Sequence, residues 1–324
     1  MYLEFSIPSG KAFDVVGVGI NVIDYLFRVP RIPEVDTKMD ATAATRQGGG
    51  LTATAMVACA RLGLHTRYIG KFGGDEIGRM AREGLAAEGL DLECAVHAPD
   101  APNRLCFVLV EEGTGHRTII RHMDSRVWLR PEDLSREAVC SGRVLHLDGY
   151  EGDAAIQAAR WARENGIPVS LDAERFTQRR DELFRLTDIL IVAERFGREV
   201  TGREAVAEIL EELTQLGPSC VGVTSGERGS ALRYRGETIH VPAFPVDVVD
   251  TTGAGDVFHG AFLYGVLQGW EARHILLFAN AVSALKCRRL GGRTGIPRVQ
   301  EVLDLLRASG QGISASVLRK ETLR

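Results

Sequence analysis

Residues 248–262 read VVDTTGAGDVFHGAF and set two aspartates, Asp250 and Asp256, and two glycines, Gly253 and Gly255, at the mouth of an apolar helical stretch. A helix N-terminus exposes unpaired amides and the positive end of the macrodipole, so it favours an anion. Glycines let the backbone approach a bulky phosphate, because no Cβ intervenes. The amides of Gly253, Ala254 and Gly255 are therefore expected to cup the charge on a transferring phosphoryl group. Asp256 sits at the rim of that cup, where a carboxylate would repel a phosphate. Its chemistry there is to take a proton from a hydroxyl nucleophile lined up with phosphorus. Asp250, upstream, would hold a cation or brace the loop. An Asp N-cap after a glycine turn is the plainer reading, but the full D-T-T-G-A-G-D run is far more specific than a lone G-A-G.

Such a tip needs a scaffold, and the chain supplies alternating short apolar strands and amphipathic helices. DVVGVGI (14–20), RYIGKF (67–72), PVSLD (168–172), DILIV (188–192) and CVGVT (220–224) read as strands, the last three continuous in apolar character, as in buried parallel sheets. Helices are expected over 52–62, over 75–90 with Asp75 as N-cap, over 153–165, near 256–268 and over 271–288. This order predicts an α/β fold: a three-layer Rossmann-like domain with a mainly parallel central sheet. Two stretches interrupt it. Residues 24–46 carry two prolines and no helical period, and 103–123 read as two strands around EEGTGH. They are expected to form a small β lid over the C-terminal edge of the sheet, where such folds place ligands. The main domain is then 1–23, 47–102 and 124–308, with a loose tail over 309–324.

The 324 residues are 45% hydrophobic and 25% charged, with a net charge of −4. That is ordinary globular composition, without the basic field that would favour nucleic acid or an anionic membrane. Six scattered cysteines show no C-x-x-C and read as reduced thiols. No stretch has the pattern of a signal peptide or a membrane span, so a cytoplasmic protein is expected. GVGINV (17–22) starts like a dinucleotide fingerprint but has Val22 where the third glycine belongs, and no P-loop motif occurs.

DTTGAGDVFHGAF resembles the C-terminal signature of the ribokinase-like (PfkB-type) carbohydrate kinases. GGGLTATAMVACARLG (48–63) is similar to that family's glycine signature, and GKFGGDEIGRMAREGLAAEGLD (70–91) to the segment after it. GVGINVIDY (17–25) resembles the first strand with its sugar-binding aspartate, here Asp24, and VTSGERGS (223–230) the nucleotide-binding turn. The resemblance implies transfer of the ATP γ-phosphoryl to a sugar hydroxyl, with Asp256 as base and Gly253, Ala254 and Gly255 as anion hole. It implies sugar contacts from Asp24, Gly49, Gly50 and Thr54. Nucleotide contacts are implied for Thr224, Gly226, Gly229, Asn280 and Gly292. Mg2+ would accompany ATP, and a monovalent cation such as K+ would sit at Asp250, the Thr252 carbonyl and the loop near Gly291–Gly295. A homodimer through the lid is common in the family.

The N-x-x-E pattern that organises magnesium water in this family is missing at 193–196, where Ala193 and Phe196 stand, leaving Glu194 or Glu199 as substitutes. The run AFPVDVVDTTGAGD is similar to ketohexokinases and bacterial sulfofructose kinases, yet Leu51 and Thr54 replace the asparagines of ketohexokinases. Cations at Lys38, Arg46, Arg104, Arg117 and Arg121 would suit a substrate bearing carboxylate, phosphate or sulfonate, with Arg117 the leading contact. A nucleoside kinase of the same fold and a non-catalytic sugar sensor are the competing readings.

Overall fold

The computed structural model describes residues 1–175 and 178–311. Among them an eight-stranded sheet runs in the order Glu237–Val241, Ser230–Tyr234, Cys220–Thr224, Ile189–Ala193, Val169–Ala173, Gly142–Leu147, Phe13–Val18, Thr66–Ile69. From Cys220–Thr224 to Thr66–Ile69 every neighbour is parallel, and the other edge is closed by an antiparallel hairpin. The strands read as unbroken apolar runs because both faces are covered. In Phe13–Val18, Val15 packs into a core with Met56, Phe262 and Phe278, whereas Val16 and Val18 point into another with Leu145, Ile156 and Ala158. Alternate side chains of one strand thus feed two cores. Helices Leu51–Arg61, Ala254–Leu267 and Ala272–Cys287 cover the first face, and Asp153–Glu164, Glu194–Thr201 and Val206–Gln215 the second. The layers are the three expected of a ribokinase-like α/β fold.

Helix Glu76–Ala87 starts as read, with the Asp75 carboxylate accepting from the Gly78 amide at 2.9 Å. RYIGKF does not form one strand. Thr66–Ile69 closes the large sheet, and Lys71–Gly73 leaves it to pair with Val96–Ala98. The break falls at Gly70, where a Cβ would stand 2.1 Å from the Tyr68 hydroxyl, so the chain turns tightly over that ring.

A separate four-stranded sheet orders Ala43–Gly49, Val22–Val29, Leu105–Glu111 and Arg117–His122. It takes in residues 22–23 and 47–49, outside the segments 24–46 and 103–123. Its inner face joins Leu26, Cys106 and Val108 to Ile20 and Tyr150 in a third, small core. Phe107 and Ile120 stand opposite one another on the outer face and are 44% and 62% exposed. No helix among the described residues is long and apolar enough to cross a membrane. The tail read over 309–324 lies, from residue 312 on, outside the described residues.

Candidate active site

A cavity of about 930 Å³ opens at the C-terminal ends of the parallel strands. It gathers residues distant in sequence: Arg117 from the small sheet, Thr224, Gly226 and Gly229 from the turn after Cys220–Thr224, Asn280, and the run Gly253–Asp256. Gly253 precedes helix Ala254–Leu267 with φ 76°, a conformation natural to glycine. A Cβ on it would also lie 3.0 Å from the Cα of Gly292, so Gly292 backs this turn and does not line the cavity. The Ala254 amide donates to the Thr251 carbonyl at 3.2 Å, which closes the turn and weakens its part in the anion cup. The amides of Gly255 and Asp256 find no acceptor among the described residues and face the cavity side of the helix tip. The Asn280 side-chain amide is engaged by the Val241 and Pro242 carbonyls at 3.1 and 3.2 Å.

Asp256 lies in the first turn of this helix, its carboxyl pushed well above the usual carboxylate range. Burial is the main cause, followed by the charges of Asp172 and Glu174, with Arg117 opposing. Asp172 itself is raised by burial and by the charges of Glu174 and Asp148. His259, one turn beyond Asp256, brings Nε2 within 3.3 Å of Asp172 Oδ1. Burial drives its imidazole down to about 3, so this is a contact of a neutral ring rather than an ion pair. Asp172, Glu174 and His259 were not found from the sequence. The available signal was LDAE at the end of a parallel strand, where catalytic groups of such sheets collect.

A second group sits beneath the small sheet. Asp24 is 5% exposed, and burial lifts its carboxyl to about 6 against the pull of Arg293 and a hydrogen bond from Cys106. Arg293, also buried, donates to the Gly49 carbonyl at 2.6 Å and to the Thr54 hydroxyl at 3.3 Å. Thr54 is fully buried, so its hydroxyl braces Arg293 and does not open to solvent. A Cβ on Gly49 would fall 2.1 Å from Asp24 Oδ2, and one on Gly50 would fall 2.6 Å from the Ile20 carbonyl. Arg293 is a further residue that sequence reading missed, hidden in a loop read for its carbonyls. Arg117 donates to Thr251 Oγ1 at 3.0 Å, and that hydroxyl donates to the Gly115 carbonyl at 3.1 Å. The small sheet is thereby tied to the D-T-T-G-A-G-D run.

The Asp250 carboxylate is fully buried and accepts from the Thr252 amide at 2.8 Å and the Gly291 amide at 2.6 Å. Its carbonyl receives the buried Lys286 ammonium at 2.9 Å, so a side-chain cation stands beside the position read for K+. Glu194 is clasped by Arg198 and Arg228, and Glu199 pairs with Arg195 at 3.1 Å. Neither lines the cavity that holds Asp256. Among the described residues no group of three or more His, Cys, Asp or Glu is placed to hold a metal. The carboxylates that do line the cavity near Asp256 are Asp172 and Glu174, which suits a metal carried in on a nucleotide better than a resident ion.

Open amides at a helix tip, a half-buried carboxyl beside them and a nucleotide-sized cavity at the strand ends define a phosphoryl-transfer enzyme. The sequence profile of the pfkB family carbohydrate kinases matches residues 12–298, and the chain belongs to that family. It is 30% identical over 278 residues to the ATP-dependent ribose-1-phosphate kinase of Halopiger xanaduensis, covering 84% of this chain and 90% of that one. It is 26% identical to the nucleoside kinase of Methanothermobacter thermautotrophicus, covering 90% and 94%. Among solved structures, Arabidopsis thaliana ribokinase complexed with ribose and ATP superposes with a TM-score of 0.78 at 28% identity, covering 91% of this chain and 99% of that one. The chain is accordingly a carbohydrate kinase, a phosphotransferase whose relatives act on sugars and nucleosides.

Proposed function

We propose that this kinase transfers the γ-phosphoryl of Mg·ATP to a hydroxyl of a small sugar, with Asp256 as general base. The observation that carries the reading is the Asp256 carboxyl beside the open amides of Gly255 and Asp256 at the rim of the 930 Å³ cavity. Its raised affinity for a proton matches a group that must accept one from an alcohol. ATP occupies the cavity, its phosphates toward Gly255 and its base toward Phe244 and Ala284, with Thr224, Gly226 and Gly229 along one wall. Glu174 and Asp172 are the carboxylates that would hold the water shell of a magnesium ion bound with ATP, which would neutralise phosphate charge there. The sugar lies between Asp24 and Asp256, and Arg293 holds Asp24 and the Gly49 carbonyl in place. Lys286 supplies as a fixed ammonium the charge that the resemblance assigns to K+.

The four-stranded sheet acts as a lid, and its exposed Phe107 and Ile120 are the surface through which two copies would pair. Six free cysteines fit a reducing cytoplasm. The two named relatives leave both a sugar phosphate and a nucleoside as acceptor classes. ATP turnover over a panel of sugars, sugar phosphates, sugar acids and nucleosides tests the proposal. Asp256→Asn is expected to lower turnover by roughly 10²–10⁴-fold while ATP still binds. Turnover like the parent's would remove Asp256 as the base.

A further inference from the structure

Apart from the nucleotide cavity, a smaller one of about 240 Å³ opens where the lid sheet meets the main sheet. Ile20, Tyr150 and Arg175 reach it from the ends of three parallel strands, and Arg104 and Arg121 from the lid. Met123 and Trp128 complete the wall. Apart from the Tyr150 hydroxyl, every hydrogen-bonding side chain in this lining is a pure donor: three guanidinium groups and one indole N–H. Two of those donors, Arg104 Nη1 and Trp128 Nε1, are buried and have no acceptor. Arg104 is 1% exposed, and only its Nη2 is paired, with Glu151 Oε1 at 2.8 Å. Buried donors in folded proteins almost always find a partner, and two orphans in one cavity wall call for an acceptor from outside the chain.

The neighbouring carboxylates are already engaged. Glu151 also accepts from the Leu129 amide at 2.8 Å, and Glu174 accepts from the Tyr150 hydroxyl at 2.6 Å. Arg121 donates to the same hydroxyl at 2.6 Å, which orients its guanidinium without neutralising it. Arg175 has no acidic partner among the described residues and lies over the Tyr150 ring at 4.8 Å and the Trp128 ring at 6.0 Å. The cavity adjoins the sugar cleft. Asp24 stands opposite Cys106 in the lid, and Cys106 opposite Arg121, so one row across the sheet runs from the sugar carboxylate to this cavity. Glu174, which lines the nucleotide cavity, touches it from the other side through Tyr150.

We propose that this cavity is an anion subsite for the acceptor itself, so that the substrate is a small sugar already bearing a phosphate. The inference rests on the kinase reading for the reaction but on separate residues for the binding. Three arginines and an indole N–H suit a tetrahedral oxyanion, which several donors can approach at once. A neutral sugar could offer hydroxyl acceptors but would leave the Arg121 and Arg175 guanidinium groups without a counter-charge.

The test titrates the full-length protein, without nucleotide, with ribose, ribose 5-phosphate, fructose, fructose 1-phosphate, fructose 6-phosphate and inorganic phosphate. The same sugars are then assayed for ATP turnover. At least one phosphorylated sugar is expected to bind ten-fold or more tightly than its neutral parent, with inorganic phosphate competing. Arg121→Met and Arg175→Met are each expected to cut that preference by ten-fold or more. Arg104 is left in place, since its removal would strand buried Glu151. Equal binding of phosphorylated and neutral sugars, or arginine variants that weaken both alike, would overturn the subsite. An arginine-dependent preference for phosphorylated sugars without any turnover would keep the subsite and overturn the proposed transfer to these sugars. Turnover of neutral sugars with no such preference would do the reverse.

Discussion

Gly49 is the residue whose replacement reads out the sugar geometry most directly. An alanine Cβ there would lie 2.1 Å from Asp24 Oδ2 and 2.8 Å from its Cγ, whereas ordinary contact begins at 3.4 Å. The Asp24 carboxylate must therefore retreat by about 1.3 Å. Gly49 does not have a positive φ, so alanine introduces no backbone strain; the displaced carboxylate is the main perturbation, with a lesser crowding of Val22 Cγ2 at 3.0 Å. Moving a positioning group by about 1 Å costs on the order of 10²-fold in rate. That corresponds to about 2.7 kcal/mol of lost transition-state stabilisation. Gly49→Ala is thus expected to lower kcat/KM for the sugar by about 10²-fold, measured at saturating ATP. The Kd for ATP, which binds in a cavity that Gly49 does not line, should stay within about two-fold. A folded variant with kcat/KM within three-fold of the parent would refute the idea that Asp24 positions the sugar. An equal loss of ATP affinity would point instead to damage of the fold.

Other consequences follow from the charges. A base works only when ionised, so kcat/KM should fall with decreasing pH through an acid limb above the ordinary carboxylate range, because Asp256 is raised. Asp172→Asn removes one of the charges that raise it and should move that limb to lower pH; an unmoved limb would disconnect the two groups. Asp24 takes up protons more readily folded than unfolded, its carboxyl rising from 3.8 to about 6, so stability should decline as pH rises through that window. The decline attributable to Asp24 is about 2 kcal/mol between pH 4 and 7, and denaturant titrations of Asp24→Asn should show a correspondingly weaker dependence of stability on pH. Lys286→Met should cost roughly 10–100-fold in kcat, the worth of a charged hydrogen bond, with partial recovery in K+ or ammonium. A parent enzyme that already requires K+ would contradict the role given to Lys286.

The sheet, its helices and the glycine turn at the start of the Ala254–Leu267 helix were legible because their signals are local. Buried strands show as apolar runs, and Asp250 to Asp256 places two carboxylates and two glycines within one turn of a helix start. RYIGKF misled because its apolar pattern continues across Gly70, while the close approach of Gly70 to the Tyr68 hydroxyl exists only in three dimensions. Arg293 escaped because nothing near it reports that its guanidinium reaches Gly49 and Thr54, residues on the other side of the chain's length. Asp172 and His259 likewise look like ordinary strand and helix residues until the fold sets them beside Asp256.

These long-range pairings also tie the small sheet to the turn that carries Asp256. Thr251, at the start of the signature, accepts from Arg117 and donates to Gly115, both on the lid hairpin. Arg293 follows Gly292, which packs against Gly253, and it holds the lid residue Gly49 at its other end. A shift of the lid therefore pulls on both sides of the turn that aims the Gly255 and Asp256 amides. Under the proposed function, a sugar that draws Asp24 inward would set the anion hole and the base at the same moment, coupling acceptor binding to phosphoryl transfer and keeping water a poor acceptor.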